Sequence, residues 1–135
     1  MSRTADEIAQ YLADNAIGTQ ATDLFVGSLP ATPGDAIAVL ESGGLPPEGS
    51  FCAATASLFE RPRIQIIVRW SDYETARNKI EAIFKLLEKV SHTSLGTTRY
   101  LRIAAVQSPM FIGRDGTDRF LLSCNFQITK ELSAA

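Results

Sequence analysis

The alternating run from Phe120 to Thr129 constrains the fold more than any other stretch of this sequence. Every second residue of the run is apolar, and these residues form one set: Phe120, Leu122, Cys124, Phe126 and Ile128. Because successive side chains of a β-strand point to opposite sides, this period predicts a strand with one buried face. A buried face requires a covering layer, so we expect other elements of the chain to pack on this strand.

The stretch before this strand contains Asp115-Gly116 between two apolar runs. This dipeptide favours a β-hairpin, because a tight primed turn needs a positive φ, which Gly adopts without steric strain. A two-residue turn at Asp115-Gly116 would place Phe111 opposite Phe120. The same register would place Met110 opposite Leu121. The sequence therefore predicts an aromatic cross-strand pair beside the turn.

Two carboxylates near this turn, Asp115 and Asp118, invite a catalytic interpretation. Both lie at turn positions, where Asp is favoured because its side chain bonds to nearby backbone. Arg114 and Arg119 flank them and favour the ionised carboxylates. A general acid needs a raised pKa, so we interpret this stretch as a charged hairpin tip rather than a catalytic loop.

Two helices are predicted from their first turns. Thr4-Ala5-Asp6-Glu7 and Ser71-Asp72-Tyr73-Glu74 have the pattern of capping boxes, in which two side chains satisfy the first backbone amides of a helix. The first helix is expected to end near Asn15. The second is amphipathic and is expected to pack on a sheet through apolar residues at helical spacing: Ala76, Ile80, Ile83, Phe84, Leu87 and Val90.

Further strands are predicted at TDLFVGSLP, DAIAVLES, RIQIIVRW, TRYLRIAAVQ and MFI. The first two are expected to form an antiparallel pair. Ser108-Pro109 interrupts the pattern, and proline belongs at an edge or bulge because it lacks an amide donor. Residues 42–62 are rich in Gly, Pro, Ser and Ala and are expected to form a long loop. This order predicts an α+β fold with a mostly antiparallel sheet and two helices packed on one face.

Length and charge narrow the class of protein. The 135 residues fit one domain, residues 1–135, that can bury its own core. With 13 Lys and Arg against 15 Asp and Glu, the net charge is -2, which disfavours non-specific binding to nucleic acid. No apolar stretch approaches the roughly 20 residues that span a bilayer, and the N-terminal MSRTADEIAQYL lacks a signal-peptide pattern. We expect a soluble, unsecreted protein with no membrane contact.

No residue pattern predicts catalysis, a cofactor or a metal site. His92 is the only histidine, and it follows the second helix, where we interpret it as a solvated residue near the helix C-terminus. Cys124 falls on the apolar side of its strand and is expected to be buried, whereas Cys52 lies in the 42–62 stretch. Because no nucleophile and base occur together, we expect no enzymatic activity.

Three long stretches together resemble one family: NAIGTQATDLFVGSLPATPGDAIAVLESGGLPP, RPRIQIIVRWSDYETARNKIEAIFKLL and LRIAAVQSPMFIGRDGTDRFLLSCNFQI. In this order they resemble the phage minor capsid proteins that are similar to tail terminators of long-tailed phages. The most specific pieces are TDLFVGSLP, ESGGLPP and SPMFIGRDG followed by NFQI. The resemblance implies a helix-backed antiparallel sheet and a structural virion protein.

By this resemblance, the chain is expected to assemble as a homohexameric ring on the finished tail tube. The ring would stop tube growth and offer a docking face to the head-completion (stopper) protein. The implied partners are other copies of the chain, the tail tube protein and the stopper, with DNA passing through the lumen without specific binding. The expected location is the tail or neck of a virion that is assembled in the host cytoplasm, with no cofactor.

Contacts with neighbouring proteins are expected at the hairpin tip and in the 42–62 stretch: Arg114, Asp115, Asp118, Arg119, Leu45, Pro46, Pro47 and Phe51. Two alternatives remain open. A head-completion or neck adaptor protein would differ in the partner that it binds. A small ligand-binding α+β domain or enzyme would use residues 42–62 as a lid and would need a deep polar pocket with convergent side chains.

Overall fold

Two helices and seven strands make up the part of the chain that the computed structural model describes, which comprises residues 4–20, 22–30, 34–48, 59–96, 98–114 and 118–131. Of residues 44–48 and 59, only the backbone is described. In chain order the elements are α1 (Thr4–Asp14), β1 (Leu24–Val26), β2 (Ala36–Glu48), β3 (Phe59–Trp70), α2 (Tyr73–Glu88), β4 (Ser91–Leu95), β5 (Thr98–Ala105), β6 (Met110–Arg114) and β7 (Phe120–Glu131).

The strands form one sheet in the order β1-β2-β3-β7-β5-β4, and β6 also pairs with β7. All of the described pairs are antiparallel except β1 with β2. The predicted α+β fold with a mostly antiparallel sheet is confirmed. The predicted antiparallel pairing of the first two strands is wrong, because β1 is only three residues long. A strand this short spans roughly 10 Å, which is the distance that a connection must cover to start β2 in the same direction.

Both helices cover the same face of this sheet. The buried residues of β3 and β7 that face them alternate along each strand: Ile64, Ile66, Val68, Leu122, Cys124, Phe126 and Ile128. Helix α2 packs over β3, β7 and β5, and α1 packs over β1 and β2 and reaches β4. The alternation of β7 and the apolar stripe of α2 therefore meet in one core, as the two periods predict.

Helix α2 begins one residue later than its predicted capping box implies. The N-cap is Asp72, whose carboxylate accepts hydrogen bonds from the Thr75 backbone N at 3.0 Å and the Thr75 Oγ1 at 2.7 Å. These bonds hold the pKa of Asp72 below its usual value. Ser71 instead donates its backbone amide to Asp35 Oδ1 at 2.9 Å, which joins the start of α2 to the start of β2.

The predicted 42–62 loop is wrong at both ends. Strand β2 continues to Glu48 and β3 begins at Phe59, with Gly44 opposite Pro62 and Leu45 opposite Arg61. The pairing shifts register twice along this stretch, after Glu41 and after Leu45, which hides the strand period in the sequence. Residues 49–58 lie outside the described part of the chain.

Strand β4 was not predicted. Four of its five residues are exposed and only Leu95 is buried, so it lacks the alternation that marks a half-buried strand. His92 lies in this strand, exposed and with a φ of 49°. Its predicted solvated position after the second helix is confirmed.

Candidate interaction surface

The hairpin of β6 and β7 has a different register from the predicted one. Arg114 is opposite Phe120, and Phe111 is opposite Leu122, with a bulge between Phe111 and Gly113. Residues 115–119 therefore connect the strands, and the predicted two-residue turn is wrong. Gly113 has a φ of 133°, which a glycine accommodates at the bulge. Phe111 and Phe120 still contact each other diagonally, with ring centroids 6.2 Å apart.

The structure brings some of the predicted contact residues together at this hairpin. Arg114 Nη1 lies 3.6 Å from Asp118 Oδ1, and its guanidinium lies over the Phe120 ring, 4.6 Å from the centroid. Arg119 packs against Gly34, where an added Cβ would overlap its guanidinium. Asp115 lies outside the described residues. The role of this tip in binding stays a prediction.

The other predicted contact residues lie elsewhere. Leu45, Pro46 and Pro47 belong to the backbone of β2, opposite the first residues of β3, and those residues pair with the last residues of β7. The hairpin tip lies beside the first residues of β7, so the structure places the two groups at opposite ends of that strand. Phe51 lies outside the described residues.

An apolar surface that the sequence interpretation missed surrounds β6. We call it the β6 patch, and it consists of the exposed large hydrophobic residues of the described chain: Tyr73, Val106, Met110, Phe111 and Ile112, each 43–49% exposed. The Tyr73 ring is 6.1 Å from that of Phe111 and 5.5 Å from that of Phe120. Exposed apolar residues grouped around one strand of a small protein are typical of a surface that another molecule covers.

A signal for this patch was present in the sequence. Met110, Phe111 and Ile112 are consecutive, and consecutive residues of a strand point to opposite sides. They cannot all face one core.

The outer edge of β6 has no neighbouring strand within the described residues, and we call it open in this sense. There β6 pairs only with β7, whereas β5, which pairs with the same edge of β7, is bordered on its other side by β4. An open edge presents unpaired backbone N–H and C=O groups to another chain. The β6 patch thus combines exposed apolar side chains with backbone that can form hydrogen bonds.

A second surface feature is a cleft of about 560 Å³ between α1 and the end of β4. Among the described residues its lining includes three acidic residues and no Lys or Arg, and Tyr11 and Leu95 add apolar surface: Asp6, Glu7, Gln10, Tyr11, Asp14, Asn15, Thr93, Ser94, Leu95 and Gly96. We call it the acidic cleft. Its charge favours a cationic partner.

Glu7 lies at the floor of the acidic cleft and is 6% exposed. Its Oε1 accepts a hydrogen bond from the buried Tyr100 hydroxyl at 2.8 Å, and its Oε2 has no hydrogen-bond partner among the described residues. Glu7 therefore does not take part in the predicted capping box, because its carboxylate bonds to Tyr100 of β5 instead of to the first backbone amides of α1. Burial and the neighbouring carboxylate of Glu7 raise the pKa of Tyr100. The hydroxyl therefore stays protonated and acts as the hydrogen-bond donor to Glu7.

The described ranges were found to hold no metal-binding cluster beside these surfaces. Groups of three or more His, Cys, Asp or Glu that could hold a metal ion do not occur there. Cys124 is buried as predicted, and burial raises the pKa of its thiol to about 11, which disfavours the reactive thiolate. Among the described helices, none is long and apolar enough to cross a membrane.

Comparisons with known proteins agree with this geometry. Residues 11–132 match the model of a family described as bacteriophage tail terminator protein. No curated protein matches the chain. A chain of a solved structure described as the virion of a native gene transfer agent particle has the same fold. It aligns with a TM-score of 0.61 at 14% identity, over 97% of this chain and 100% of that chain.

The family match covers nearly the whole chain, and it includes the predicted strands, α2 and the β6 patch. It agrees with the resemblance drawn from the sequence. The chain belongs to the bacteriophage tail terminator family and is a structural protein of the virion tail.

Proposed function

We propose that this protein caps the tail tube as a homohexameric ring, ends tube polymerisation and forms the tail side of the head–tail joint. Its partners are other copies of itself, the tail tube protein and the head-completion protein. The observation that carries the proposal is the β6 patch, an open strand edge with exposed apolar side chains, in a chain of the tail terminator family.

Ring formation has a specific structural requirement. Each subunit must present one surface to the neighbour on one side and a different surface to the neighbour on the other. A contact between subunits at β6 would bury the exposed side chains of Met110, Phe111 and Ile112. Burial of apolar area is the main favourable contribution to association. The net charge of -2 suits a lumen through which DNA passes without adhering.

Electron microscopy tests the proposal directly. The purified protein is imaged alone and after mixing with tail tubes from an infection that lacks it. We expect rings at one end of the tubes and tubes of uniform length, whereas tubes without the protein should vary in length. Binding to filled heads and not to tubes would contradict the proposal and would instead support a head-completion or neck adaptor.

A matched pair of variants ties capping to the β6 patch. Ile112→Asp adds a carboxylate to the patch, and Asn78→Asp adds one to an exposed position of α2. Both residues are exposed, so both variants should fold. We expect Ile112→Asp to lose capping and Asn78→Asp to retain it. If the two variants cap tubes equally well, the β6 patch does not take part in capping.

A further inference from the structure

We propose that the ring contact joins two different surfaces, with the β6 patch and Arg114 of one copy docked on the acidic cleft of the next copy. The inference rests on the proposed ring and names the two faces that meet in it. The occupant of the β6 patch is therefore a second copy of this chain.

The two surfaces lie at opposite ends of β7. Strand β6 pairs with β7 between Phe120 and Ser123, whereas the hairpin of β4 and β5 beside the cleft reaches β7 at Lys130, opposite Tyr100. Ten residues of a strand extend roughly 33 Å. Surfaces placed on opposite sides of a subunit allow head-to-tail contact, and such contact closes into a ring when the rotation between copies permits.

The charges of the two surfaces are complementary. Glu7 and Asp14 line the cleft, no Lys or Arg occurs among its described lining residues, and the patch is bordered by Arg114. In the free chain Arg114 pairs with Asp118, but both side chains are largely exposed, at 52% and 85%. Exposed pairs contribute little to stability, so Arg114 can exchange this partner for the cleft carboxylates at small cost.

The floor of the cleft favours a hydrogen-bond donor. Glu7 Oε2 is buried without a hydrogen-bond partner among the described residues, and it points toward Gly96, where an added Cβ would lie 3.0 Å from it. Buried carboxylate oxygens without donors are unfavourable. Tyr11 and Leu95 in the cleft lining add apolar surface that matches the side chains of the patch.

The part of β2 beyond its pairing with β1 is another edge of the sheet among the described residues, and it is less suited to pairing. Strand β2 carries Pro46 and Pro47, which lack amide donors, and its pairing with β3 is twice irregular. Prolines and bulges are common devices that protect an edge from association. We therefore expect the β6 edge of one copy to bind a surface other than the β2 edge of the next copy.

Mixing two assembly-deficient variants tests the inference. Ile112→Asp disables the patch and leaves the cleft intact, whereas Asp14→Arg disables the cleft and leaves the patch intact. Asn78→Arg is the control for an added cation, and circular dichroism confirms that each variant is folded. Masses are measured by sedimentation velocity.

We expect each disabling variant alone to be monomeric, with association weakened at least about 10-fold. Their 1:1 mixture should form a dimer that does not grow, because one intact patch meets one intact cleft. Gln10→Lys, a second change in the cleft lining, should act like Asp14→Arg.

Three outcomes overturn the inference. Rings of Asp14→Arg and Gln10→Lys with wild-type affinity would exclude the cleft while leaving the proposed ring intact. A symmetric dimer of Asp14→Arg alone would show that two β6 patches bind each other. Absence of rings for the wild-type chain, both alone and on tail tubes, would refute the proposed function and this contact together.

Discussion

Strands β5 and β6 pair with the same edge of β7, but their environments are opposite. The outer edge of β5 is bordered by β4, and its Tyr100 and Ile103 are at most 1% exposed. In the described part of the chain no strand borders the outer edge of β6, and its Met110, Phe111 and Ile112 are 44–49% exposed. Pairing with β7 is common to both strands, but β5 also packs against α2 and pairs with β4. These further neighbours decide whether a strand stabilises the fold or remains available to another molecule.

The junction between the two strands is firmly held. Val106 donates its amide to the Asn125 carbonyl at 2.8 Å, and the Cys124 thiol donates to the Gln107 carbonyl at 3.3 Å. Arg77 of α2 donates to the Pro109 carbonyl at 3.1 Å. Strand β6 is therefore exposed but positioned by the core, as a preformed interface requires.

The largest expected difference between the two strands comes from one substitution made in each. Ile103→Ala removes a buried side chain and should lower the free energy of unfolding by about 2–5 kcal/mol. Ile112→Ala removes a side chain that is 44% exposed and should change it by less than about 0.5 kcal/mol. Urea unfolding monitored by circular dichroism measures both. Similar losses would show that β6 also belongs to the stabilising core.

Two tyrosines give the next contrast. Tyr100→Phe leaves the buried Glu7 Oε1 without its donor and should lower stability by about 1–3 kcal/mol. Tyr73→Phe removes a hydroxyl from a ring that is 43% exposed and should have almost no effect. Thermal unfolding of the two variants is the measurement. If they melt alike, the hydrogen bond between Glu7 and Tyr100 does not stabilise β5.

Cys124 lies at the junction and makes stability depend on alkaline pH. Its thiol pKa is raised from 9.0 to about 11, so its contribution is complete below pH 9 and is lost as the pH rises through 11. At pH 10 the free energy of unfolding should be about 1 kcal/mol lower than at pH 8 because of this thiol. The difference between the pH profiles of the wild type and Cys124→Ala isolates it from the other titrating groups. Parallel profiles between pH 8 and 11 would contradict the buried thiol.

The smallest expected effect on stability concerns two exposed arginines. Arg99 of β5 lies 3.9 Å from Glu131, and Arg114 of β6 lies 3.6 Å from Asp118. Replacing either with Ala should change stability by about 0–1 kcal/mol. Arg114→Ala should also weaken association, because Arg114 borders the β6 patch, whereas Asn78→Ala at an exposed position of α2 should not. Sedimentation velocity measures the self-association of the folded variants. Association equal to that of the wild type would show that Arg114 does not take part in the contact.

The sequence predicted the elements whose periods are strong. The alternation of β7 and the helical spacing of α2 both identify faces that the structure buries. Strand β4 escaped prediction because four of its five residues are exposed, and the ends of β2 and β3 escaped because register shifts and prolines mask a strand period. The predicted hairpin register was wrong, because the bulge before Gly113 and the longer connection shift β6 from the position that a two-residue turn would give it.

The candidate surface was predicted only in part. The hairpin tip was recognised from its charges and its Asp-Gly dipeptide, and the structure brings Arg114 and Asp118 together there. The β6 patch was missed because exposure of an apolar side chain depends on which elements cover it. Tyr73 joins Phe111 and Phe120 from a helix that is distant in sequence, so its ring contacts have no local signature.

The sequence by itself determined the fold class, the buried faces of β7 and α2, and the resemblance to the tail terminator family. These properties depend on side-chain period and composition, which act between residues that are near in the chain. The tertiary structure alone decided the parallel pairing of β1, the contact between Glu7 and Tyr100, and the open edge of β6. Each of these depends on which distant segments become neighbours, since burial and hydrogen bonding are set by the completed packing and not by the local chain.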